Sequence, residues 1–315
     1  MRQYSPSSWA AISICIAALV HFVLGFAIEF SVDEAHYALY AQHLAWSYFD
    51  HPPLVGWIQW PLVAITSSEG IIRLIPEFLW ILSCYLVYQV TLEIHHLIQG
   101  RNAGYLTSAL PSQNACGLMA VLAIVAAPIP HILAIGLLPD TLLVPLSLGL
   151  MLMALRWLIK DHFSIRDWIT TGLLLGLAGL SKYTAIFGAF ALLLLFLSSP
   201  RKSSIKTLGF WVAATIALLC ITPVLYWNWA NDWISFKYQM AHGSGGAWLW
   251  RRLGAYLGLQ IAVFGPLLIL GAYLYHMRKV ITCFLVLIFI RFRAGCPASC
   301  AIRVSMEPRP GSWCR

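Results

Sequence analysis

The chain opens with Trp9–Phe30, an almost continuous apolar run, and comparable runs recur along its length. A helix needs about 20 consecutive apolar residues to cross the hydrocarbon of a bilayer. Stretches of that kind read at Trp9–Phe30, Ile71–Thr91, Ala115–Leu138, Thr141–Ile159, Thr207–Tyr226 and Leu253–Tyr275. Two shorter arms, Trp168–Leu180 and Tyr183–Leu197, flank Gly179–Lys182 and read as two spans or as one interrupted helix. The expectation is an all-α, polytopic transmembrane protein with about 8 spans and an incomplete ninth. Of the residues, 60% are hydrophobic and only 10% charged. Soluble domains average about 25% charged residues, so an ordinary soluble enzyme, a disordered chain and a nucleic-acid-binding domain are all excluded.

The cysteines point to no disulfide framework. Cys15, Cys84, Cys116 and Cys220 stand alone in apolar segments, where a thiol acts as a small hydrophobe. Cys283, Cys296, Cys300 and Cys314 crowd the end, but no second pair or nearby His completes a zinc site. Trp9–Phe30 is too long for a signal-peptide core and no small-residue cleavage site follows, so it reads as a first span.

The net charge of +8 is first a topology signal in such a chain. With the N-terminus in the cytoplasm, the inner connections carry Arg2, Arg101, Arg156, Lys160, Arg166, Arg201, Lys202, Lys206, Arg278 and Lys279. The outer ones carry only Arg73, Lys182, Lys237, Arg251 and Arg252. The acids sort the other way, with Asp33, Glu34, Asp50, Glu69, Glu77, Asp140 and Asp232 outside. Polar chemistry is therefore expected on the external face.

The richest stretch is the first external loop, residues 31–60. Ser31 can cap a helix with Glu34 as its capping-box partner, and Asp33 then sits in the first turn. Aromatic and apolar residues continue to Trp46, so a helix along the membrane surface is expected. Pro52 and Pro53 stop any helix after Asp50-His51, and Leu54–Ile65 is apolar but too short to span. Capping and dipole complementarity would account for Glu34 and Asp33 alone. Four ionisable groups in one aromatic loop at a membrane face are a functional hypothesis by default.

Asp33-Glu34 with Tyr37 three residues beyond, followed by Tyr48–Pro53, resembles the first external loop of lipid-linked-sugar glycosyltransferases. These are the protein-mannosyltransferase and aminoarabinose-transferase-like group, with the GT-C fold. Leu138-Pro139-Asp140 is similar to the family's second acidic loop, and Gly179–Tyr183 to its Gly-Leu-x-Lys segment. The resemblance runs from about Trp9 to Lys279. Several members have Glu-Lys where this chain has Asp50-His51.

The resemblance implies a helical GT-C-like domain over residues 1–279. It also implies transfer of a sugar from a polyprenyl phosphate to a hydroxyl of a lipid or protein acceptor at the outer face. A hydroxyl is a poor nucleophile, so a carboxylate must take its proton, and Asp33 is the candidate base, with Glu34 and Asp140 as further catalytic candidates. The departing phosphate gathers charge and calls for Lys or Arg. Lys182, Arg251 and Arg252 are the candidates, and each can instead snorkel to the interface. Tyr37, Asp50, His51 and Tyr183 complete the expected substrate site. Asp140 precedes Thr141 and can equally cap the next helix. His36, Asp50, His51 and His242 lack the spacing of a metal site, so no metal ligand is assigned, while room is left for a divalent cation. No other cofactor is implied. Trp227-Asn228-Trp229 and Gly243–Gly246 form an aromatic, glycine-rich outer segment without the Lys-Ser/Thr of a phosphate loop.

After Lys279 the text changes to Arg-, Cys-, Pro- and Ser-rich. Residues 280–315 are expected to be an atypical tail in which the reading frame is lost, or else a basic cytoplasmic tail. The expected location is a bacterial inner membrane, with the site on the periplasmic face. The competing functions are a transporter or lipid-handling protein, and an inactive remnant. Transporters place their ionisable groups near the bilayer midplane rather than at its surface.

Overall fold

The computed structural model describes residues 4–101, 111–160, 162–199, 202–243 and 249–262. They lie in the first of two compact units, Met1–Leu267; the second, Leu268–Arg315, lies outside the described residues. So do the expected tail, the start of a ninth span and most of the glycine-rich segment 243–246.

The described chain is helical, and no strand occurs among the described residues. The helices are α1 (Pro6–Ala27), α2 (Val32–Gln42), α3 (Leu54–Val63), α4 (Glu69–Ile72), α5 (Leu74–Arg101), α6 (Gln113–Ala126), α7 (Pro128–Ile135), α8 (Pro139–Ile159), α9 (Ile165–Ser181), α10 (Ala185–Ser198), α11 (Leu208–Ala230) and α12 (Ile234–Gly243). Residues 250–262 are also helical. Among the described residues four helices are long and apolar enough to cross a membrane: α1, α4–α5 together, α8 and α11. The helices α6 and α7, bent by 72° at their break, together have the length and composition of a broken span or of a re-entrant loop.

That bend departs from the single span expected over Ala115–Leu138. Pro128 has no N–H to continue the ladder, so the helix breaks at Ala127 and restarts. The arms around Gly179–Lys182 are two separate helices, α9 and α10, and at 17 and 14 residues each is short of a full crossing. About eight spans are therefore not reached among the described residues.

Neighbouring helices run α1–α6–α5–α8–α9–α11 through the bundle. The tightest seam is α9 on α11, where small residues let backbones approach. A Cβ on Gly172 would lie 2.5 Å from the Ala213 carbonyl oxygen, and one on Gly176 would lie 2.4 Å from Cys220 Cβ. Trp157, Trp168, Phe196 and Ala213 fill one end of the seam. The outward faces are apolar and bare: Leu19 and Val23 on α1, Phe187 and Phe190 on α10, and Leu218 and Leu219 on α11 are all exposed. Such a belt would drive association in water and suits lipid.

Candidate active site

Ser31 starts α2 with the expected capping box. Its hydroxyl accepts from the Glu34 N–H at 3.3 Å, and the Glu34 carboxylate accepts from the Ser31 N–H at 2.9 Å. The helix ends at Gln42, four residues short of the expected Trp46. The chain folds back there because the Tyr48 hydroxyl sits 2.7 Å from the Tyr40 carbonyl oxygen and accepts from the Ala45 N–H. The Tyr40 and Tyr48 rings stack at 3.6 Å between centroids. Gly56 lets α3 close on α2, since a Cβ there would lie 2.8 Å from Tyr40 Cβ. Gln59, buried on α3, donates to the Tyr37 carbonyl oxygen. This small core holds Tyr37 and Tyr40 with their hydroxyls among acids.

Glu34 and Asp33 divide sharply. Glu34 is 7% exposed and its carboxylate takes both arms of Arg73, at 2.8 and 3.1 Å. Arg73 is itself buried and donates to the carbonyl oxygens of Gly25, Ile28 and Glu29 at the end of α1. Glu34 is thus tied by Arg73 into the junction of α1 and α2. Asp33 is exposed and makes no hydrogen bond or ion pair among the described residues.

Asp50 is the hub of the loop. The Tyr40 hydroxyl donates to it, His51 Nδ1 lies 3.1 Å and His36 Nε2 3.4 Å from its other oxygen. Burial alone would raise its pKa, but hydrogen bonds from His51 and Tyr40 outweigh that and hold it well below the usual carboxylate range. The Tyr37 hydroxyl lies 3.5 Å from His51 Nδ1. Its pKa is pushed up by burial first, then by the charges of Asp50, Asp33 and Asp140. Three carboxylates therefore converge electrostatically on Tyr37. Burial and the bond to Asp50 push Tyr40 up as well.

Asp140 and Lys182 meet across 42 positions of sequence, Nζ to carboxylate at 2.6 and 2.8 Å. Asp140 is not the cap of α8. The Thr141 hydroxyl does that work, accepting from the Leu138 N–H and donating to the Gly136 carbonyl oxygen. Lys182 sits at the extended C-cap of α9, which turns its side chain out of the helix toward α8. Tyr183, next along, lies 3.4 Å from the Ser47 hydroxyl. Arg251 and Arg252 are exposed at the start of helix 250–262 and reach none of these carboxylates by a described hydrogen bond or ion pair. The side chain of His242 lies outside the described set.

Sequence reasoning missed how the far side of the loop is held. After α11, Asp232 and Trp233 both adopt positive φ, 53° and 57°. The buried Asn228 fixes this turn, accepting from the Trp233 N–H at its carbonyl and from the Ser235 N–H at its side chain. The turn delivers α12 onto the loop. Ser235 donates to the Tyr48 carbonyl oxygen and Gln239 to that of Asp50. Arg73, Tyr40 and His36 were also missed as partners. The only available hint was the four-residue spacing of Ser235 and Gln239, His36 and Tyr40. Among the described residues no cluster of three His, Cys, Asp or Glu has metal-holding geometry.

The helices form a membrane-type bundle whose acidic, aromatic loop between α2 and α3 is the one from which the GT-C resemblance is read. Residues 105–227 match the family model of dolichyl-phosphate-mannose-protein mannosyltransferase. The chain is also similar to lipid A galacturonosyltransferase RgtD of Rhizobium johnstonii, with 27% identity over 252 residues, 77% of this chain and 48% of the relative. The chain thus spans about half the length of that curated relative. No solved structure matches. Both matches are to glycosyltransferases, the group that the loop motifs resemble.

Proposed function

We propose that the chain is a membrane glycosyltransferase that moves a sugar from a polyprenyl-phosphate donor to an acceptor hydroxyl on the external face. The observation that carries the reading is the division of labour among the carboxylates. Glu34 is occupied by Arg73, Asp50 by Tyr40 and two histidines, and Asp140 by Lys182, whereas Asp33 is exposed and makes no hydrogen bond or ion pair among the described residues. A general base must be free to meet the proton that it takes. Asp33 accepts the acceptor's hydroxyl proton as that oxygen attacks the anomeric carbon from the face opposite the phosphate. The C–O bond to the phosphate breaks, and the electron pair leaves with the phosphate oxygen. Lys182 faces that developing charge, with Asp140 holding its ammonium in place. Tyr37, His51 and Tyr183 shape the sugar site. The names of the two matches bring a lipid-linked sugar and a lipid or protein acceptor into view, and a bacterial inner membrane fits that setting.

The test is a reconstituted proteoliposome given a labelled polyprenyl-phosphate sugar and candidate acceptors. Label should appear covalently on the acceptor. Passage of label across the bilayer without covalent transfer would favour the transporter reading instead.

A further inference from the structure

A second polar cluster lies away from the external loop, inside the spanning helices. α1, α5 and α7 each bring one ionisable side chain to it: His21, Glu77 and His131. His21 and Glu77 are more than nine-tenths buried, beside Trp80, Cys84, Ala17 and Ala134. His131 Nε2 lies 2.7 Å from the Val125 carbonyl oxygen, whose helical donor would be Ile129, beyond the break between α6 and α7. His131 Nδ1 lies 2.6 Å from His21 Nε2. His21 Nδ1 lies 3.1 Å from Glu77 Oε2, an ion-pair distance without an aligned hydrogen bond, and neither Glu77 oxygen has a hydrogen-bond partner.

These contacts fix the proton count. A carbonyl oxygen only accepts, so His131 Nε2 carries a proton. With His131 taken as neutral, the form that sets no charge against the apolar wall, Nδ1 accepts and His21 Nε2 carries the next. That leaves a ring nitrogen facing a carboxylate, and one proton must lie between them. It can sit on Glu77 or on His21. Either way three side chains hold three protons and the group is neutral, the state that an apolar span favours. With one proton fewer, two lone pairs would oppose each other out of water; with one more, two donors would.

We propose that His21, Glu77 and His131 form an intramembrane proton-binding site, in which one proton shared by Glu77 and His21 holds the broken α6–α7 span against α1 and α5. The other charged or titratable groups nearby are accounted for. Arg73, one turn before Glu77 at the junction of α4 and α5, borders the same small void as His21 and Glu77, and its charge is met by Glu34. Glu69 on α4 accepts from the Phe30 N–H, and Cys84 lies two turns below Glu77 on α5. The site also borders a cavity of about 470 Å³ between α1 and α6–α7, lined by apolar residues around His21 and His131.

The test uses the full chain in nanodiscs. In E77Q the amide N–H takes the place of the shared proton facing His21 Nδ1 and the two contacts of His131 are untouched, so thermal stability remains near wild type. E77L and H131L each remove a contact and should unfold several degrees earlier. If E77Q unfolds as early as E77L, a carboxylate charge is what the site needs and the proposal fails. Imidazole ¹⁵N spectra of the wild type decide independently of the variants. Two solvent-protected rings should appear, both with a proton on Nε2 and at least one neutral. Two cationic rings, or a protected ring protonated only on Nδ1, would overturn it.

Discussion

Arg73 binds Glu34 with two parallel bonds, at 2.8 and 3.1 Å, and spends its remaining donors on three carbonyls at the end of α1. One buried guanidinium therefore closes α1, roots α2 and fixes the first turn that carries Asp33. Removing one partner of a buried, hydrogen-bonded pair leaves the other charge uncompensated, at about 3–5 kcal/mol. Glu34→Gln and Arg73→Ala should each destabilise the chain by that order. Thermal unfolding in detergent checks it. Arg73→Lys should not rescue, because an ammonium cannot make the fork.

Asp50 predicts a pH signature. Its folded pKa is depressed, so the stability that it contributes is fully present above the ordinary aspartate value of about 4 and is lost as pH falls below it. The stability gap between wild type and Asp50→Asn should be widest at neutral pH and shrink only in acid. Tyr40→Phe removes a donor to the carboxylate and should move that acid limb to higher pH. Acid unfolding followed by circular dichroism reads both.

Lys182 and Asp140 should separate stability from activity. Their side chains are 27% and 48% exposed, and a pair so open to water is worth about 0–1 kcal/mol. Lys182→Ala should therefore unfold close to wild type while losing most donor turnover. Equal losses in stability and turnover would make the pair a structural one.

The α9–α11 seam gives a prediction free of any functional reading. Gly172→Ala drives a methyl against the Ala213 backbone, which cannot swing aside as a side chain could. Overpacking of this kind costs about 1–3 kcal/mol. Gly188→Ala on α10, where a Cβ meets nothing within 4 Å, should be silent. Parallel melting curves compare the two.

What sequence disclosed was local. The Ser31–Glu34 capping box spans three residues, Pro52-Pro53 breaks the loop where expected, and α1 and α8 are visible as apolar runs. What it hid was pairing at a distance. Arg73 read as one more external cation, yet its partner Glu34 is 39 residues away, and Lys182 finds Asp140 over 42. Asp140 looked like a cap because Asp and Thr compete for that job one residue apart, and only geometry shows Thr141 taking it. The bend at Pro128 was hidden because both of its arms are equally apolar. Glu77 read as one more external acid and His21 drew no notice within the first apolar run, yet the fold sets them 3.1 Å apart.

The most direct test of the central claim is donor turnover by Asp33→Asn, with donor binding measured alongside. Asparagine keeps the shape of the side chain and cannot take a proton. Turnover should fall by about 10²-fold or more, the usual worth of a general base, while donor affinity stays within a few-fold of wild type. Undiminished turnover in Asp33→Asn would contradict Asp33 as the base.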